Sequence, residues 1–143
     1  MSGCCCHASG VVWDIGTAGV LRLPSGRLVR GRRLGDSPVL APDFGLCPTG
    51  AEPTVTWPHT WVKWPDFGLP LHSGDAREAI RDLWLRCANE RVEVACGGGR
   101  TGTVLAALAM LDGLERDAAI TWVRQGYDRR AVDAPWQRRR LTD

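Results

Sequence analysis

Val92-Glu93-Val94-Ala95-Cys96-Gly97-Gly98-Gly99-Arg100-Thr101-Gly102-Thr103, followed by the apolar run Val104 to Leu111, is the stretch on which the reading of this chain turns. The run Val92 to Ala95 predicts a short strand that delivers a cysteine onto a glycine-rich turn. The turn carries an arginine and feeds straight into a helix. Such an arrangement aims backbone N–H groups, a helix N-terminus and a guanidinium at one point, which is what a phosphate-sized anion requires. A cysteine at that point is poised as a nucleophile.

The neighbouring sequence supplies the frame. Asp75 to Asn89 predicts an amphipathic helix, with Ile80, Leu83, Trp84 and Cys87 on one stripe and Asp75 with Glu78 as a capping pair. Thr101 to Leu111 is apolar on nearly every side and predicts the most buried helix. Asp117 to Gln125 predicts another, ending at Gly126, and Pro135 a short last one. Ahead of these, Val11 to Asp14 reads as a strand and Gly19 to Gly31 as a hairpin turning at Pro24-Ser25-Gly26. Residues 35 to 53 read as loop. Thr54 to Trp57 and Thr60 to Trp64 read as extended segments broken by Pro58.

Trp61 to Trp64, the helix from Asp75 and Val92 to Ala95 then form a strand–helix–strand unit. Crossovers of this kind join parallel strands. The residues after the two strands, Pro65-Asp66 and Cys96-Gly97, therefore share the carboxyl edge of one sheet, where open α/β sheets place ligands. The expected fold is a single α/β domain over residues 1–143. A small, largely parallel central sheet is flanked by helices on both faces, and residues 1–10 form a poorly ordered terminus.

The Cys96 to Thr103 stretch resembles the phosphate-binding loop of the cysteine-based protein tyrosine phosphatase superfamily, dual-specificity phosphatases included. There a strand ends in Cys, a glycine-rich loop follows, and Arg-Thr-Gly or Arg-Ser-Gly opens a helix. Trp64-Pro65-Asp66 resembles that superfamily's Trp-Pro-Asp loop, which closes over the site. The near-copy Pro42-Asp43-Phe44-Gly45-Leu46 repeats Pro65 to Leu69 without the tryptophan. The resemblance implies Cys96 as nucleophile, Arg100 as the clamp on two phosphate oxygens and Asp66 as the acid that protonates the leaving oxygen. It implies that Thr101 stabilises the cysteine as a leaving group, and that Gly97, Gly98, Gly99, Gly102 and Thr103 cradle the phosphate. The implied reaction is hydrolysis of a phosphate monoester, phosphotyrosine or another phosphorylated protein or small molecule, through a phosphocysteine, with neither cofactor nor metal.

The match has a departure. Five residues separate cysteine from arginine in the superfamily, whereas only Gly97, Gly98 and Gly99 stand between Cys96 and Arg100, and Ala95 replaces the usual preceding histidine. Two missing residues remove two N–H donors, and each preorganised donor is worth roughly 10²–10³ in rate. Three glycines still allow a smaller nest. The expected activity is accordingly low. The alternatives are a degenerate module that binds a phosphate without turning it over and, further off, a rhodanese-type sulfurtransferase.

Composition is ordinary for a globular chain: 143 residues, 44% hydrophobic, 24% charged, net charge +2. That charge offers no general field for nucleic acid or a membrane surface. Lys63 is the single lysine; arginine in its place, with abundant Ala and Gly, points to a GC-rich bacterial genome. No basic stretch leads into an apolar core at the start, so no secretion signal is expected and the cytoplasm is the expected compartment. Six cysteines without a C-x-x-C pair fit reduced thiols better than zinc. Cys4, Cys5 and Cys6 with His7 are a minor option for a soft metal. The tryptophans outside Trp64 read as core, His59 and His72 as loop residues, and Arg138 to Arg140 as a solvated helical face.

Overall fold

The computed structural model describes residues 12–36, 40–64, 73–96, 99–129 and 131. Its elements run β1 (Val20–Arg22), β2 (Leu28–Arg33), β3 (Phe44–Thr49), β4 (His59–Lys63), α1 (Ser73–Arg86), β5 (Val92–Cys96), α2 (Arg100–Leu111) and α3 (Arg116–Gly126). The strands form one sheet in the order β1-β2-β5-β3-β4. β1 and β2 are the antiparallel hairpin, turning at Gly26 with φ 99°, a value that glycine adopts at no steric cost. Every other pairing is parallel. The strand–helix–strand inference holds, with β3 inserted between β4 and β5.

That insertion is the main correction to the sequence reading, which left residues 35–53 as loop. β3 is a fully buried central strand, although Gly45 and Pro48 punctuate it. Both breakers have a place. Gly45 leaves room for Trp57, whose Nε1 would stand 3.2 Å from an added Cβ. Pro48 lies beyond the last residue of β3 paired with β5, Leu46. Its missing N–H falls where that ladder has already ended. Val12 to Asp14 and Thr54 to Trp57, expected as extended segments, form no strand, and His59 opens β4 rather than sitting in a loop.

Strand parity divides the sheet into two faces. Val29, Val94, Leu46 and Val62 point to one, and α1, α2 and α3 cover it, each packing on the next. Leu83 of α1 and Cys87, one residue past its end, are buried there as the stripe predicts, and Val104, Leu105, Leu108 and Ala109 of α2 are fully enclosed. α1 starts two residues before Asp75, which sits in its first turn rather than at its cap.

Helices are expected on both faces, and the three described helices all lie on the first. Among the described residues the second face carries tryptophans and an ion cluster instead. Glu93 is buried and accepts from Arg30 Nε (3.0 Å) and Nη2 (2.6 Å) and from Arg32 Nε (2.9 Å) and Nη2 (2.8 Å). Hydrogen bonding to Glu93 raises the Arg32 guanidinium above its ordinary value. Trp13 closes this cluster, with its ring under Arg30 at 4.3 Å and its Nε1 donating to Val92 O at 2.7 Å. Trp57 lies 5.5 Å from the Arg32 guanidinium. The cluster ties β2 to β5 three residues before Cys96.

Candidate active site

β5 ends at Cys96 on the carboxyl edge of the sheet, and Gly99 is the N-cap of α2. The Cys96 side chain is fully buried. Its Sγ accepts two hydrogen bonds from one residue: the Thr101 hydroxyl at 2.9 Å and the Thr101 main-chain N–H at 3.2 Å. The sulfur thus sits on the N-terminus of α2, where unpaired N–H groups and the helix dipole favour negative charge.

Arg100 opens α2 and is buried at 8% exposure, so its guanidinium lies inside the domain rather than over the surface. Its Nη1 donates to Trp64 O at 2.8 Å. Trp64 itself is held by its N–H to Thr49 O. The end of β4 and the start of α2 therefore meet at one edge, beside Cys96, as parallel strands require. Gly102 faces Ala131, whose Cβ would be 2.8 Å from an added side-chain carbon. Thr103 is buried with no hydrogen-bond partner for its Oγ1 among the described residues. Gly97, Gly98 and Asp66 lie outside the described residues, as do Cys4 to His7, His72, Trp136 and Arg138 to Arg140.

Asp43, in the near-copy of the Trp64 motif, goes elsewhere. Its carboxylate accepts from the Arg91 N–H at 2.9 Å, at the amino end of β5. It stands at the opposite edge of the sheet from Cys96.

Two residues that sequence reasoning passed over lie near the carboxyl end of β5. Arg33 pairs with Cys96 across β2 and β5. Tyr127, just past α3, lies against Gly31, where an added Cβ would meet its Cε1 at 2.7 Å. Neither stands in a motif; only the register of β2 on β5 and the return of α3 bring them here. Both line a cavity of about 720 Å³ beside the hairpin, with Thr17, Gly19, Asp36 and Asp128. Among the described residues no group of three or more His, Cys, Asp or Glu is placed to hold a metal ion. No helix among them is long and apolar enough to cross a membrane.

A cysteine held on a helix N-terminus, next to a buried arginine anchored at the end of another strand of the sheet, is the arrangement of cysteine-dependent phosphatases. The family model for protein-tyrosine phosphatase matches residues 41–128, and the chain belongs to that family. It is similar to a crystal structure of Tk-PTP in the active form, at 25% identity and a TM-score of 0.61, over 70% of this chain and 76% of that one. A comparison with curated proteins finds no match.

Proposed function

We propose that the chain hydrolyses phosphate monoesters through a phosphocysteine on Cys96. The carrying observation is the double donation from Thr101 to the Cys96 sulfur. In the first step Sγ bonds phosphorus as the P–O bond to the leaving group breaks, and Asp66 gives the leaving oxygen its proton. In the second, water attacks phosphorus and gives a proton to the Asp66 carboxylate, the S–P bond breaks, and the sulfur takes back its electron pair. Donors already aimed at that sulfur from Thr101 lower the cost of its departure. Arg100 spans two equatorial oxygens with its planar fork and offsets the charge spread over them.

Asp66 rather than Asp43 supplies the acid in this reading. It follows Trp64 by two residues, and Trp64 O holds Arg100, whereas Asp43 is pinned at the far edge. The loop Gly97 to Gly99, with Gly102 and Thr103, cradles the phosphate with fewer donors than a five-residue loop offers, and turnover is correspondingly slow. The substrate is a phosphorylated protein or a small phosphate ester, and a working thiol of this kind fits a reducing compartment. The three-residue loop also favours a second reading, a module that binds phosphate without turning it over.

Hydrolysis of para-nitrophenyl phosphate by wild type and Cys96→Ser, with tungstate titration of both, separates these. Slow hydrolysis lost in Cys96→Ser, with tungstate bound by both, supports the enzyme. Equal rates with tungstate bound leave the binding module. Failure of both proteins to bind tungstate removes the anion site altogether.

A further inference from the structure

We propose that Arg33 is a specificity-determining residue, which receives a second acidic group of the substrate in the cavity beside the β1–β2 hairpin. The inference rests on the phosphatase reading of Cys96 and names a substrate class for it: small phosphate monoesters that carry a further anion. The sheet register brings the two residues together. Arg33 and Cys96 are Cα partners at the ends of β2 and β5, and the N–H of Leu34 donates to Cys96 O at 3.0 Å, so the pairing holds to the last residue of both strands. Cys96 points to the helix-covered face, where the Thr101 hydroxyl reaches its sulfur. Val29 is in the core on that face, and a Cβ added at Gly31 would meet Leu105 of α2. The odd-numbered residues of β2 therefore share it. Arg33 and Cys96 leave neighbouring strands about 5 Å apart, toward the same side and at the same edge. Cys96 is enclosed, whereas Arg33 is open to solvent.

The cavity of about 720 Å³ lies where the hairpin ladder stops. β1 begins at Val20, paired with Arg30, and the Gly31 N–H still donates to Gly19 O at 2.9 Å. Beyond that bond the edge of β2 is open. Because the Leu34 N–H is turned toward β5, the Arg33 N–H is turned the other way, to the open edge. It has no hydrogen-bond partner among the described residues, and the Arg33 guanidinium has no ion-pair partner among them. Arg30 and Arg32, by contrast, are committed to Glu93. A main-chain N–H and a guanidinium from one residue, both at the wall of one cavity, make a donor pair for a single oxyanion. The carboxylates of the lining, Asp36 and Asp128, repel an anion seated elsewhere in the cavity and so hold it at the Arg33 end. That end is the one beside Cys96.

The test compares phenyl phosphate with meta-carboxyphenyl phosphate in wild type, Arg33→Gln and Arg33→Glu. The ratio of kcat/KM for the two esters within one protein cancels whatever the substitution does to the shared chemistry or to the fold. Arg33→Gln is expected to lower the preference for the carboxyl ester about fivefold to tenfold, the worth of a charge-assisted hydrogen bond. Arg33→Glu lowers it further, and high salt narrows the difference between wild type and Arg33→Gln. An unchanged ratio in both variants, whether the two rates hold or fall together, would mean that Arg33 serves the reacting phosphate or the fold, and would overturn the proposal. A second arm needs no turnover: calorimetric titration of each ester into Cys96→Ser, with and without Arg33→Gln. Affinity for the carboxyl ester is expected to fall about fivefold to tenfold more than that for phenyl phosphate. If wild type hydrolyses neither ester and this selective loss is still seen, the enzyme reading falls while the role of Arg33 stands in a binding module. Hydrolysis of both esters without selective loss in either arm keeps the phosphatase and removes the subsite. Failure of Cys96→Ser to bind either ester removes both.

Discussion

The guanidinium of Arg100 donates to the main-chain carbonyl of Trp64 at 2.8 Å, across 36 residues of sequence. A backbone acceptor cannot be removed by mutation, so this bond locks the start of α2 to the end of β4 whatever side chains surround it. It also fixes the plane of the guanidinium, and a fixed plane is what bidentate recognition of a phosphate needs.

Arg100→Lys tests that plane. Lysine keeps the charge and offers a point donor on a flexible stem. It can hold the Trp64 carbonyl or a phosphate oxygen, but not two oxygens in a fork. We expect kcat/KM on aryl phosphates to fall about 10²-fold or more, comparable with loss of one preorganised oxyanion donor. Tungstate affinity, read by calorimetry, falls with it. A lysine variant within about twofold of wild type in both would show that charge alone suffices.

Glu93 carries the second prediction, and it concerns stability. Its carboxylate is 1% exposed and neutralises one of two buried guanidiniums, Arg30 and Arg32. Glu93→Gln keeps the shape and leaves both cations facing a neutral amide. Removing one partner of a buried ion pair costs about 3–5 kcal/mol. Urea unfolding followed by tryptophan fluorescence reads the loss directly. A cost below about 1 kcal/mol would mean that the cluster is hydrated and contributes little.

The cysteines give a prediction in pH. Burial pushes the Cys47 thiol up to about 12, assisted by the charge of Glu93, and burial pushes Cys87 up to about 11, from an ordinary value of 9.0. Thiolates are the species that alkylate, so peptide mapping after iodoacetamide near neutral pH should find both Cys47 and Cys87 unmodified in the folded domain. The same shifts act on stability. Both thiols hold their protons more tightly folded than unfolded, so the stability they contribute is fully present below pH 9.0 and is lost as pH rises through 11 to 12. The melting temperature of wild type should therefore fall more steeply above about pH 9 than that of Cys47→Ala/Cys87→Ala. Parallel curves would remove this linkage.

What the sequence made legible follows the period of its apolar residues. β5 and α2 stand out because Val92 to Ala95 holds no breaker and Val104 to Leu111 is apolar throughout, and the crossover through α1 places Trp64 and Cys96 at one edge from sequence alone. β3 was hidden because Gly45 and Pro48 are read as loop residues; only its neighbours β4 and β5 explain why they are tolerated. The second face was hidden because Arg30, Arg32 and Glu93 alternate like the solvated side of a strand. They are buried because their charges meet one another. Tyr127 was hidden because its neighbour Gly31 comes from another element of the fold.

Loop length is the last and sharpest test of the site. Cys96 and Arg100 are separated by three glycines, and Gly99 is already taken up as the N-cap of α2 with helical backbone angles. The span left to wrap an anion is therefore very short. Each added residue contributes one N–H donor and lets the sulfur move relative to the guanidinium, so the attacking atom can reach an in-line position. Inserting two glycines between Gly99 and Arg100 should therefore raise the hydrolysis rate, by roughly 10²-fold if one effective donor is restored. Thr101 travels with Arg100 on α2, so the insertion also stretches the path from Cys96 to the hydroxyl that supports it. A gain in rate means the loop was limiting and the rest of the site is competent. An unchanged or lower rate at unchanged melting temperature means that the bonds from Thr101 to the sulfur depend on the short loop, and that this site is built around three residues rather than damaged by them.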